Sequence, residues 1–188
     1  ILENGVFENL ILPCNSAFYK DDIKCTLKGK HSSSFVNGAI LSKNNTHQEI
    51  KTIIKHIGEK TKSYQKIKCV LSESSKSIFQ GKIYVDKNAQ KTDGYQLSKA
   101  ILLDKDSEFD SKPELEIYAD DVKCSHGSTS GSLNEEAIFY LMSRGLSQQE
   151  AKKLLIKGFL IDSIESITNK EIKKYFLKKL EEQINEHR

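Results

Sequence analysis

Apolar and polar residues alternate through the first two-thirds of the chain. Ile23, Cys25 and Leu27 form one such run, Ile67, Cys69 and Leu71 a second, Ile83 and Val85 a third, and Leu115, Ile117 and Ala119 a fourth. A period of two marks a strand with one buried face, so these runs predict strands, and Ile23, Cys25, Leu27, Ile67, Cys69, Leu71, Ile83 and Val85 are expected to point inward. Lys43-Asn44-Asn45, Asp86-Lys87-Asn88 and Thr92-Asp93-Gly94 read as the turns between strands. The strands recur every ~10–15 residues, too closely for helices to lie between them. That spacing admits a sandwich, a barrel or a solenoid, and no clean repeat in the sequence chooses among them.

The period changes after Gly131. Three helix starts carry the chemistry of a capping box: Ser132 with Glu135, Ser147 with Glu150, and Thr168 with Glu171. Gly145 stands where the first helix should stop. Ala151, Leu154, Leu155, Gly158 and Phe159 make an apolar stripe at helical spacing, and Ile172, Tyr175, Phe176, Leu180 and Ile184 make another. The expectation is a β domain over residues 1–131, then a small helical domain over residues 132–188 packed on its end. A module of that size does not bury all its apolar faces by itself, which points to a partner.

Composition narrows the function. Of 188 residues, 37% are hydrophobic and the net charge is +3. The lysines are spread along the chain, so no nucleic-acid footprint is expected. No apolar run approaches the ~20 residues of a membrane span. The chain opens at Ile1 without a signal sequence or an initiator Met, and it reads as a portion of a longer protein. Cys14, Cys25, Cys69 and Cys124 form no C-x-x-C pair, which argues for free thiols in a reducing compartment and against structural zinc.

No phosphate-binding loop, H-E-x-x-H or nucleophile elbow is present. The segment that stands out is Asp120-Asp121-Val122-Lys123-Cys124-Ser125-His126-Gly127. On one unbroken strand, Val122, Cys124 and His126 share a face. A thiolate and an imidazole placed together suit soft or borderline metals, although a Cys-x-His pair is more often a buried thiol beside a hydrogen-bonded ring. Ala119 and Val122 cannot both face inward on that strand, so a bulge or turn is expected at Asp120-Asp121. His56 shares the parity of Ile50, Thr52 and Ile54 and reads as a satisfied inward histidine. His31 and His47 fall in polar loops and His187 in the tail. Cys25 and Cys69 read as small core residues.

The stretch from Lys112-Pro113-Glu114-Leu115-Glu116-Ile117-Tyr118-Ala119 through Asp120-Asp121-Val122-Lys123-Cys124-Ser125-His126-Gly127 resembles the SufB/SufD family. The likeness continues through Ser128-Thr129-Ser130-Gly131, Leu133-Asn134-Glu135-Glu136-Ala137 and Ser143-Arg144-Gly145. Upstream, Phe79-Gln80-Gly81-Lys82-Ile83 and Ala89-Gln90-Lys91-Thr92-Asp93-Gly94-Tyr95-Gln96 resemble the same family. The Lys-Cys-Ser-His-Gly form at 123–127 resembles the SufD-like branch. Asn134 departs from the Asp usual in the family.

The resemblance implies a right-handed parallel β-helix followed by a C-terminal helical domain. It implies a non-catalytic scaffold subunit that pairs with a SufB-like subunit, or with itself, and docks a SufC-like ATPase. A transient Fe–S cluster would form at the subunit interface, with His126 as its ligand from this chain and Cys124 as a weaker candidate. Leu133, Glu135, Phe139, Arg144, Leu154 and Phe159 would meet the ATPase. The expected location is the bacterial cytoplasm, or a plastid-type organelle. Two rival readings are a β-helix enzyme acting on polysaccharide, with Asp120 and Asp121 as its only adjacent carboxylates near the suspect site, and a purely structural interaction module.

Overall fold

The computed structural model describes residues 1–14 and 16–186, and His187 lies outside them. Nine strands come first: β1 (Val6–Ile11), β2 (Phe18–Leu27), β3 (Ser33–Ser42), β4 (His47–His56), β5 (Lys62–Leu71), β6 (Lys76–Val85), β7 (Thr92–Leu102), β8 (Glu108–Ile117) and β9 (Val122–Gly131). Three helices follow: α1 (Glu135–Ser143), α2 (Gln148–Glu165) and α3 (Lys170–Glu186). Odd-numbered strands form one parallel sheet in the order β1-β3-β5-β7-β9, and even-numbered strands form a second in the order β2-β4-β6-β8. Successive strands therefore alternate between two sheets, and each of β1 to β7 pairs with the strand two places on. Ser33 lies opposite Lys62, Lys62 opposite Asp93, and Thr92 opposite Val122, so a coil closes about every 30 residues. This is a β-solenoid of about four turns.

The alternation read from the sequence is the inward face. Ile23, Cys25, Leu27, Ile67, Cys69, Leu71, Ile83 and Val85 are all buried between the sheets. Thr92-Asp93-Gly94, expected as a turn, instead opens β7. Gly94 is buried there because its inward side meets its neighbours closely: a Cβ on it would lie 3.2 Å from Cys124 Sγ. His47, expected in a loop, begins β4.

One corner of the coil is built from non-glycine residues in the left-handed region: Asn4, His31, Lys60 and Lys91, with φ from 54° to 60°. Each uses its N–H to bind the following coil. His31 donates to Glu59 O at 3.2 Å, Lys60 to Gln90 O at 2.9 Å and Lys91 to Asp121 O at 2.6 Å. The N–H groups of these four residues thus continue the ladder that the strands make.

The helices do not cap the end of the solenoid as the sequence suggested. They cover the flank of the five-stranded sheet, with α2 lying across β3 and β5. Toward the C-terminal ends of its strands the outward positions of that sheet are themselves apolar. Ala39 and Val70 are buried beneath Ile156, Leu160 and Ile164, with Leu10, Leu41 and Ile101 at the margin. Where a sheet is apolar on both faces it requires a cover. Lys66 and Lys68 reach from β5 to Asp162 of α2 at 3.3 and 2.7 Å, and Lys68 also donates to Phe159 O at 2.9 Å.

Only one of the three capping boxes forms as expected. Ser147 accepts from the Glu150 N–H at 3.3 Å, while Glu150 accepts from the Ser147 N–H at 2.8 Å. Asn134, not Ser132, caps α1 by accepting from the Ala137 N–H. Asn169, not Thr168, accepts from the Glu171 and Ile172 N–H groups. In both cases a carboxamide one or two residues nearer the helix displaces the hydroxyl, while Thr168 donates to Glu8 across the molecule. Gly145 ends α1 at φ +98°, as its position predicted.

Candidate functional site at the free end of the solenoid

β8 and β9 are the last strands of their sheets, so each leaves one edge unpaired by this chain. Between them the chain turns at Tyr118–Asp121, with Ala119 buried and the Asp121 N–H held by Gln90 Oε1 at 3.0 Å. The parity conflict in the sequence is thus resolved by a corner between sheets. After it, Val122 and Cys124 fall on the inward face and help close the cluster of Ile83, Val85 and Ala89.

The register fixes what each residue of β9 meets. Cys124 lies opposite Gly94, and His126 opposite Gln96. Gly94 and Gln96 are buried inward residues of β7, so Cys124 and His126 occupy the same inward columns one coil later. No further coil covers β9. Cys124 is therefore only half-buried and His126 is exposed, although both stand where interior residues stand elsewhere. Burial pushes the Cys124 thiol up, and the Gly94 N–H opposes that shift. The Cys69 thiol, fully buried, is pushed up to about 12 by burial.

Among the described residues, no three His, Cys, Asp or Glu side chains lie close enough to hold a metal ion together. Cys124 and His126 are brought to one end and one face of the solenoid. Asp120 and Asp121 are exposed on the corner.

The six residues expected to meet an ATPase are not alike. Phe139 is 73% exposed and Leu154 47% exposed, while Leu133 is buried beneath the helices and Phe159 is half-buried under the Lys68 ammonium. Glu135 and Arg144 are exposed, with the Arg144 guanidinium over the Tyr140 ring.

The family model for the SUF system FeS cluster assembly, SufBD core domain, matches residues 1–159. The chain belongs to the SufBD core family. The match runs through all nine strands and α1 and into α2. The iron–sulfur cluster assembly protein SufD of Escherichia coli is 35% identical over 164 residues, which are 87% of this chain and 39% of that protein. A SufBD family protein of Synechocystis is 41% identical over 100 residues, covering 53% of this chain and 22% of its own length. The chloroplastic protein ABCI7 of Arabidopsis thaliana is 39% identical over 112 residues, covering 59% and 24%. The chain thus spans about two-fifths of SufD at most among these relatives. It is a SufD-like member of the SufBD family, whose relatives are iron–sulfur cluster assembly proteins. Among the described residues, no helix is long and apolar enough to cross a membrane.

Proposed function

We propose that this chain is part of a non-catalytic scaffold subunit on which an Fe–S cluster is assembled at the seam with a second solenoid subunit. The observation that carries the reading is His126: an inward-column residue left exposed on the last, half-paired strand. A neutral imidazole binds iron through one ring nitrogen while a neighbour holds the other. The free edges of β8 and β9 suit pairing with another sheet, because unpaired N–H and C=O groups template a strand. The partner is a SufB-like subunit or a second copy of this one, and it supplies the remaining ligands to the transient cluster. Cys124 packs against Gly94 and serves the interior first. The helices dock a SufC-like ATPase through the exposed positions of α1 and α2, and ATP hydrolysis belongs to that partner. The subunit works in the bacterial cytoplasm, or in a plastid-type organelle.

The test is iron and labile sulfide per complex, measured beside size-exclusion profiles. His126→Ala should lower both without preventing subunit assembly, and Cys124→Ser should lower them less. Wild-type iron in the His126 variant removes the ligand role. Failure of that variant to assemble makes the residue structural.

A further inference from the structure

The two free edges at the end of the solenoid are unlike. Glu108 donates its N–H to Ser75 O at 3.0 Å and Tyr118 donates to Val85 O at 3.0 Å, both toward β6. The register between them is unbroken, so even-numbered residues of β8 turn their backbone groups to β6 and odd-numbered ones turn theirs to the free edge. Pro113 is among the latter. It has no N–H and its ring stands in the place of one, so the row of donors on this edge is broken at its centre. On β7, Asp93 donates to Thr61 O, and Lys123 holds the same place one coil later. Val122, Cys124, His126, Ser128 and Ser130 therefore turn their backbone groups to the free edge of β9 without a break. The outward side chains sharpen the contrast. They are Glu108, Asp110, Lys112, Glu114 and Glu116 on β8, against Lys123, Ser125, Gly127, Thr129 and Gly131 on β9. Proline and charge are the devices that guard an edge against extension, and β9 carries no proline and only Lys123 as a charge.

The break stands opposite His126. Thr52 and Gln65 meet across the interior, where Oγ1 donates to Oε1 at 2.5 Å. One coil on, Gly81 and Gln96 hold these places, and a Cβ on Gly81 would collide with the Gln96 carboxamide. One coil further, the places belong to Pro113 and His126. A strand laid along β8 loses its ladder bond at Pro113 and is held off by the ring, whereas a strand laid along β9 runs unbroken past His126. We infer that the edge strand of the second solenoid subunit seats on β9, and that Pro113 interrupts pairing along β8 and leaves an opening in the seam opposite the imidazole. Iron and sulfide enter through that opening. This rests on the proposed cluster site at His126.

The experiment follows amide hydrogen exchange at single residues in the full-length subunit, alone and in its complex. In the complex, the N–H groups of Cys124, His126 and Ser128 should exchange about a hundredfold more slowly than in the free subunit. Those of Ser111 and Leu115, on either side of Pro113, should not both slow. Pro113→Ala and Pro113→Val each supply the missing donor. In these variants both flanking amides should slow, and the complex should take up added ferrous iron and sulfide several-fold more slowly, with its final iron content and thermal midpoint unchanged. Slowed exchange at both Ser111 and Leu115 in the parent overturns the inference. So does unchanged exchange along β9, and so does uptake at the parent's rate in both variants. If His126→Ala keeps its iron, the ligand role fails, while the exchange pattern still decides whether Pro113 breaks the seam.

Discussion

At the scale of single residues, the interior of this solenoid is more polar than its alternating pattern suggests. His56 is the clearest case. It is wholly buried, with Nδ1 2.7 Å from Thr61 Oγ1 and Nε2 2.8 Å from Ser63 Oγ. Burial lowers its pKa to about 4. The unfolded chain takes up this proton near the ordinary value of 6.5, whereas the native ring refuses it until about 4. Stability from this group is therefore complete above that ordinary value and is lost as pH falls between the two. Between pH 7 and pH 5 the loss is about 2 kcal/mol, and His56→Gln should remove most of that dependence. Urea midpoints of both proteins at the two pH values check this, and equal losses would remove His56 from the acid sensitivity. Parity made His56 legible in the sequence as an inward, satisfied histidine, and it made Cys25 and Cys69 legible as core. It did not yield the partners, because Thr61 and Ser63 lie across a corner whose path no local pattern encodes. His126 illustrates the same limit: its place in an inward column follows from alternation, but its exposure depends on the solenoid ending there.

At the scale of elements, the strands were easier to read than the helix faces. Strands such as β2 bury one side only, and their alternation is clean. β3 is different: Asn37, Ala39 and Leu41 point outward yet lie beneath or beside α2, so the period of two is blurred. α2 is apolar around most of its circumference because the sheet lies on one side and α3 on another. The expected stripe holds at Ala151, which is buried, and in part at Leu155 and Phe159, which are half-buried, but Leu154 and Gly158 are exposed, and Ile156, Leu160 and Ile164 complete the buried face. A polar contact at Asp162 accompanies this apolar packing of α2 on the sheet. Lys68, with a side chain only 10% exposed, meets this carboxylate at 2.7 Å, and the two lysines hold the Asp162 carboxyl below the usual carboxylate range. Asp162→Asn should cost about 1–2 kcal/mol, since it leaves a nearly buried ammonium without its counter-charge. Glu181→Gln, which breaks the exposed pair with Lys157, should cost less than about 0.5 kcal/mol. Denaturation of the two variants compares them directly. Equal small effects would mean that apolar packing alone orients α2.

At the scale of the whole molecule, the helices and the solenoid share one hydrophobic cluster, so they are not independent. Cutting the chain after Gly131 would strip the cover from Ala39, Val70 and their neighbours, and the product should aggregate instead of surviving as a clean β fragment. The proposed docking of an ATPase is better tested on the outer surface of the helices. Phe139→Ala with Leu154→Ala should fold with the parent's thermal midpoint and lose co-elution with the ATPase; retained co-elution would remove these positions from the contact. The geometry also sets a distance. α2 is fastened to β5, and His126 stands on β9, two hydrogen-bonded steps along the same sheet, or about 10 Å. Each coil is bonded to the next through strands and corners alike, so this interval is a gauge length with little slack. Lengthening a corner loop would leave the gauge unread, whereas adding or removing one whole coil between β5 and β9 would shift the imidazole by about 5 Å relative to the helices. The number of coils, more than the identity of any one residue in them, sets the distance between the helices and the imidazole, and with it the reach that the proposed function would require.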